Sequence, residues 1–326
     1  MNMKKWLTSL VVVGAGLIIS ACGNGGNEST GASGEDVINV ATLTNIEHAS
    51  MTAAEEGFYE ALADGGYVDG ANIAVESLSA QGSQSNLNPM AEQAASDNDL
   101  VLSLGTGTTQ AIANTGSDTD VVFTAVTDPV GAGVVESMEE PGGNITGTSD
   151  AMPIADQIDL LLSLDPEAQS VGVIYNSSEP NSTIQAEEAI QIIEDKGLEP
   201  VVTTVTSTND VQQNLTSIAE DIDLLYAPTD NTIAGTIPTV RNITTEYQIP
   251  SVLGSPEMVE EGGLATYSID YHSLGYQAGE MAVQILNGEA EPATMPVETA
   301  DEYVLVVNEE VAADLGIDPE SIQAPK

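Results

Sequence analysis

The chain has 326 residues, 41% of them hydrophobic, with 51 acidic side chains against five Lys and Arg and a formal charge of −46. A surface of that sign repels phosphate backbones, which excludes nucleic acid as a partner. The apolar fraction is ordinary and the acids are scattered along the whole length, which excludes disorder and leaves a packed core, in a chain long enough for two domains, under an acidic surface.

Lys4 and Lys5 precede an apolar run from Leu7 to Ile19 that is too short to cross a bilayer, and Ser20-Ala21-Cys22 follows. This is the pattern of a secretory signal peptide over residues 1–21. Ile19-Ser20-Ala21-Cys22 resembles the lipobox of bacterial lipoproteins, which implies that Cys22, the only cysteine, is lipidated and becomes the mature N-terminus. No disulfide can then form within the chain. Residues 22–36, rich in glycine and serine, read as a lipidated flexible tether that holds a folded body off a membrane. Loss of the leader leaves only Lys196, Arg241 and Lys326 as Lys or Arg against the 51 acids. Their self-repulsion weakens as the Debye length falls from ~10 Å at 0.1 M salt to ~3 Å at 1 M. The composition therefore points to an extracytoplasmic protein of a salt-loving or alkaliphilic bacterium.

From Val37 onward, apolar runs alternate with segments of helical spacing. The first half predicts strands over 37–43, 73–78, 100–104 and 121–125. Helices are predicted between them over 52–62, over 86–95 and near Thr109. The second half predicts strands over 171–175, 199–205 and 224–227, with helices over 184–195 and 211–220. The halves share letters: "QSNLNPMAEQAASDNDLVLSLGTGT" from Gln84 stands beside "VQQNLTSIAEDIDLLYAPTDNT" from Val211. A late helix over 272–286 and a last strand over 303–307 complete the pattern. Strands separated by helices predict an α/β fold of two doubly wound parallel-sheet lobes. Lobe 1 is expected over 37–147 with a return helix at about 272–288, and lobe 2 over 148–271 with the C-terminal segment, about 300–326. The junction is placed near 146–150.

Ligands of open parallel sheets bind beyond the carboxyl ends of the strands. Those ends carry Thr44 to His48, Gly105 to Thr108, Thr127-Asp128-Pro129, Asn176-Ser177-Ser178, Thr229-Asp230-Asn231 and Gly254-Ser255. Any one of these residues reads equally as a helix cap, worth ~1 kcal/mol. The recurrence of Thr-Asp at corresponding ends of both halves is not something capping requires. Asp128, Asp230 and Asp270 are candidates to hold an ammonium group, and His48 either meets a ligand or caps the helix after it. In "NSSEPNS", residues 176–182, Glu179-Pro180 reads as a bend with Asn181 or Ser182 capping the next helix. Enzyme signatures are missing: the two histidines form no His-Glu-x-x-His pair, and there is no Gly-x-Ser-x-Gly elbow, phosphate loop with lysine or Gly-x-Gly-x-x-Gly. No catalysis, cofactor or metal is expected.

Taken together, Ile46-Glu47-His48, "QGSQSNL" from Gln81, "VVFTAVTDPVGAGVV" from Val121, "PGGNITGTSD" from Pro141, "VGVIYNSSEPNS" from Val171, "APTDNTIA" from Ala227 and "ATYSIDYHSLGYQAGEMAVQIL" from Ala265 resemble the solute-binding lipoproteins of ABC transporters in the tryptophan-binding group. The resemblance implies a type I periplasmic binding protein fold, two flavodoxin-like lobes joined by a multi-strand hinge, acting as a monomer that closes around a small solute and delivers it to permease subunits. It implies an aromatic amino acid, tryptophan first, with another amino acid, a nucleoside, a sugar, or a sensory ligand-presenting role as alternatives. It places ligand contacts at Glu47, His48, Thr106, Thr127, Asp128, Asn176, Ser177, Asn181, Ser182, Asp230, Asn231 and Asp270. Tyr175, Tyr226, Tyr267, Tyr271, Phe58 and Phe123 could stack on an aromatic ligand. Ala49 departs from the pattern, which has proline after the histidine.

Overall fold

Short apolar strands alternate with helices along the chain, and parallel pairing needs a helix to carry the chain back between strands. In the structure, a computed structural model that describes residues 37–300 and 302–325, this alternation builds two six-stranded sheets. The first half contributes β1 (Ile38–Thr44), α1 (Ala49–Asp64), β2 (Ile73–Ser79), α2 (Gln84–Ser96), β3 (Leu100–Leu104), α3 (Thr106–Ala113), β4 (Asp120–Thr124) and β5 (Ile145–Ser149). The second adds α4 (Ile154–Leu164), β6 (Ser170–Asn176), α5 (Pro180–Asp195), β7 (Glu199–Val205), α6 (Val211–Ile218), β8 (Leu224–Ala227), α7 (Asn231–Ala234), α8 (Ile237–Tyr247), β9 (Ser251–Leu253), α9 (Pro256–Glu260) and β10 (Ala265–Ser268). Last come α10 (Tyr271–Leu286), β11 (Glu298–Thr299), β12 (Val304–Val307) and α11 (Glu309–Asp314). The signal peptide, Cys22 and the tether lie outside the described residues.

The first sheet runs β11-β5-β4-β3-β1-β2, all parallel, and the second β12-β10-β9-β8-β6-β7, parallel except for β12 against β10. The central strands β3, β5, β8 and β9 are buried along their whole length, as both-face coverage requires. On the first sheet, α1 and α10 cover one face with Phe58, Leu62, Leu274 and Met281, while α2 and α3 cover the other with Leu87 and Ile112. On the second, α4, α5 and α11 pack opposite α6 to α9. The chain passes between sheets three times: after β5, after β10, and between β11 and β12. The stretch expected as a junction, 146–150, is therefore mostly strand β5, and the passage follows at 150–153. Both sheets reverse strand order at corresponding points, between β1 and β3 and between β6 and β8, and such a reversal opens a crevice at the strands' carboxyl ends.

Candidate functional site

The two crevices face each other across a cavity of about 340 Å³, within the size range of small-molecule sites. From the first lobe it is lined by His48, Ser50 and Met51 at the start of α1, Thr106 at the start of α3, and Ala125 after β4. From the second come Asn181 in the first turn of α5, Thr229, Asp230, Asn231 and Ala234 around α7, and Ser255 and Met258 at α9. Asp150 and Tyr271 stand on the first two passages between lobes. Local backbone aims these groups. Gly105 enters α3 at φ +91°, a left-handed conformation suited to glycine, and Ala125 holds φ +58° without being one.

Three hydrogen bonds hold the lobes together over the cavity. The His48 imidazole meets Asn231 Oδ1 at 3.0 Å, Ser50 Oγ meets Ser255 Oγ at 2.8 Å, and Gln185 Nε2 donates to Thr127 Oγ1 at 3.2 Å. Asn231 Nδ2 donates to Glu179, so its Oδ1 is the acceptor and His48 Nε2 must carry the hydrogen. His48 Nδ1 is then a free lone pair, buried without a protein partner, as is Thr106 Oγ1. Two polar atoms in that state, both on cavity-lining residues, need a ligand or solvent partner.

The charges are arranged by burial. Asp150, 3% exposed, accepts from Thr127 Oγ1 at 2.8 Å on one oxygen and from Tyr271 OH at 2.9 Å on the other. Burial pushes its carboxyl up, against the pull of those two donors. Asp230 accepts from Ile233 N at 2.8 Å, capping α7, and from Asn176 N at 2.6 Å. Burial, and next the neighbouring Glu179, push it up to about 7. Glu179 gathers donors from Asn176, Asn231 and Thr232. Burial also lowers the His48 pKa, opposed by its bond to Asn231 and by Glu179, which favours the neutral ring. Among the described residues Lys196 pairs with Asp159, and Arg241 with Glu310 and Asp314. Neither lines the cavity, so an anionic group inside it would rest on hydroxyls, amides and the free N–H groups at the starts of α1 and α3.

Of the residues expected from sequence, His48, Thr106, Asn181, Asp230 and Asn231 line the cavity. Thr127, Asn176 and Ser182 stand behind it: Thr127 holds Asp150, Asn176 bonds Thr232 and Asp230, and Ser182 donates to Thr229 O. Four expectations are corrected. Glu47 and Ser177 are exposed, Asp128 folds back to accept Gly131 N at 2.8 Å, and Asp270 is an exposed cap that accepts Ser273 N. The α5 cap position belongs to Glu179, whose side chain serves α7 instead of its own helix, with Pro180 at the first helical position. Asn181 and Ser182 sit inside the helix and bond Thr229 O rather than capping it. His48 occupies the cap position of α1 without capping it. Of the six aromatics, Tyr271 alone lines the cavity; Tyr226, Phe58 and Phe123 are core. Sequence reasoning missed Asp150, Ser50, Met51 and Met258, and the bonding of Glu179.

Two α/β lobes closing on a polar-ended cavity at paired topological switch points define a periplasmic-type solute-binding protein. A model of the ABC transporter substrate binding protein family matches residues 38–324, and the chain belongs to that family, whose members bind substrates rather than convert them. It is 36% identical over 318 residues to a tyrosine-binding protein of Clostridioides difficile, covering 95% of this chain and 92% of that one. A Streptococcus pneumonia ABC domain solved in complex with L-Trp is 36% identical, with TM-score 0.83 over 88% of this chain and 97% of the other. A ligand-free, open substrate binding protein from Clostridium difficile is 38% identical but superposes with TM-score 0.65, over 86% of this chain and 96% of that one. At equal identity, the lower score against the open molecule agrees with the closed arrangement that the three inter-lobe bonds define.

Proposed function

We propose that this protein is the extracytoplasmic, lipid-anchored, monomeric binding component of an ABC importer, taking up an aromatic amino acid, tryptophan first and tyrosine next. The observation that carries the reading is the cavity itself. Met51, Ala125, Ala234, Met258 and the Tyr271 ring give an apolar surface, and methionine sulfur packs well against aromatic edges. Unpartnered Thr106 Oγ1 and His48 Nδ1 offer a hydroxyl and an acceptor, and an indole N–H requires an acceptor. The tyrosine-binding relative and the L-Trp complex support the same class. Closure of the two lobes around the solute would present one closed surface to permease subunits.

Calorimetric titration of residues 22–326 with the twenty amino acids tests this. The sole tryptophan, Trp6, belongs to the leader, so intrinsic emission comes from tyrosine and added tryptophan reports on itself. Tryptophan or tyrosine should bind most tightly; no binding of Trp, Tyr or Phe tighter than about 100 μM overturns the aromatic assignment.

A further inference from the structure

We propose that Asp150 is the anchor for the ligand's α-ammonium group, with Tyr271 and Thr127 as the residues that position its carboxylate. The inference rests on the amino-acid reading above. Only two carboxylates line the cavity, Asp150 and Asp230. Asp230 is committed to backbone: each of its oxygens takes an N–H, from Ile233 and from Asn176, and it terminates α7. Asp150 takes no main-chain cap of a helix; its two oxygens each accept one hydroxyl and keep lone pairs for a further donor.

A buried carboxylate is costly unless a charge or several donors compensate it. Both described Lys and Arg side chains are paired at the surface, so a cation for Asp150 must come from the ligand. Burial holds the carboxyl toward its neutral form, and an ammonium group arriving beside it would reverse that shift. The placement also links binding to closure. Asp150 stands on the passage from β5 to α4, and Tyr271 stands at the end of the passage from β10 to α10. Thr127, which donates to Asp150, accepts from Gln185 of the opposite lobe. A cation held at Asp150 therefore lies on the hinge itself, in contact with groups whose arrangement depends on the lobes being closed.

The test compares two ligands on four proteins. For the wild type, calorimetry should show L-tryptophan binding at least about 100-fold more tightly than 3-indolepropionate, which lacks only the amine, since removing one partner of a buried charge pair is strongly unfavourable. In Asp150→Asn this preference should fall below about 10-fold. In Tyr271→Phe and Thr127→Val, which keep the carboxylate but loosen it, L-tryptophan should weaken several-fold more than 3-indolepropionate, a comparison that stands if Asp150→Asn does not fold. An unchanged preference in Asp150→Asn, equal weakening of both ligands in the two positioning variants, or a wild type that binds both ligands alike overturns the proposal. If the wild type prefers a non-aromatic amino acid, the same comparison with that acid's des-amino analogue tests the anchor while the aromatic reading falls. If it binds no amino acid, both fall.

Discussion

At the residue scale, the unusual chemistry is a pair of buried carboxylates, Asp230 and Glu179, sharing the start of one four-residue helix. Glu179 is 8% exposed and Asp230 3%, and the donors around them are neutral amides and hydroxyls. Two like charges so placed disfavour each other, so Asp230 titrates near 7 in the fold instead of 3.8. A raised carboxyl takes up a proton in the folded chain that the unfolded chain does not hold. Its stabilising effect is therefore fully present below about pH 4 and is lost as the pH rises toward 7. Asp230→Asn removes that titration while an amide oxygen can still accept Ile233 N. Wild-type stability minus variant stability should then decrease between pH 4 and 7 and level off above 8, which thermal melts of both proteins across that range would show. A constant difference would mean that Asp230 is ionised throughout. The sequence displayed such residues only as a set. Polar side chains after strands serve caps and ligands alike, and whether Asp128 turns toward the cavity or back onto Gly131 depends on a turn with no periodic signature. Asp150 escaped notice because it stands on a passage between lobes, where no helix start drew attention to it.

At the scale of elements, the return of α10 onto α1 ties residues more than two hundred positions apart. Glycines set the approach: a Cβ on Gly275 would lie 1.9 Å from Ala54 O, and one on Gly57 would lie 2.1 Å from His272 O. Both obstacles are backbone, so neither helix can yield without moving. Glycine inside a helix costs about 1 kcal/mol relative to alanine, yet here Gly275→Ala should destabilise by about 2–3 kcal/mol because overpacking outweighs propensity. Gly107 of α3, with open space around it, gives the opposite sign: Gly107→Ala should be neutral or stabilising by up to ~1 kcal/mol. Urea denaturation of the two variants checks both, and equal effects would refute the close-packing account. Helical spacing made α1 and α10 individually legible, but which helix meets which is a long-range fact without local period. The segment from Asn231 to Ser268 was harder still, because its strands are three or four residues long and its helices α7 and α9 four and five, shorter than the repeat that would reveal them.

At the scale of the whole molecule, the charge imbalance is almost entirely uncompensated. The ion pairs among the described residues are Lys196 with Asp159, Arg241 with Glu310 and Asp314, and His272 with Glu60, while the chain carries 51 acids. Exposed pairs of this kind contribute ~0–1 kcal/mol each and cannot offset repulsion summed over the surface. Salt can, because raising it from 0.1 to 1 M shortens the Debye length from ~10 to ~3 Å, below the spacing of most surface carboxylates. The melting temperature should therefore climb between 0.1 and 1 M NaCl, then flatten toward 2 M once screening is complete, with KCl giving the same curve. A flat profile would show that the acids are far enough apart in the fold not to matter. Ligand affinity should respond differently. A zwitterionic amino acid carries no net charge, and the cavity that would hold it is shielded from bulk ions by the closed lobes. Its dissociation constant should change little across the range in which the melting temperature rises. Parallel changes in both quantities would instead mean that salt acts on the hinge, favouring the closed arrangement by relieving repulsion between the two acidic lobes.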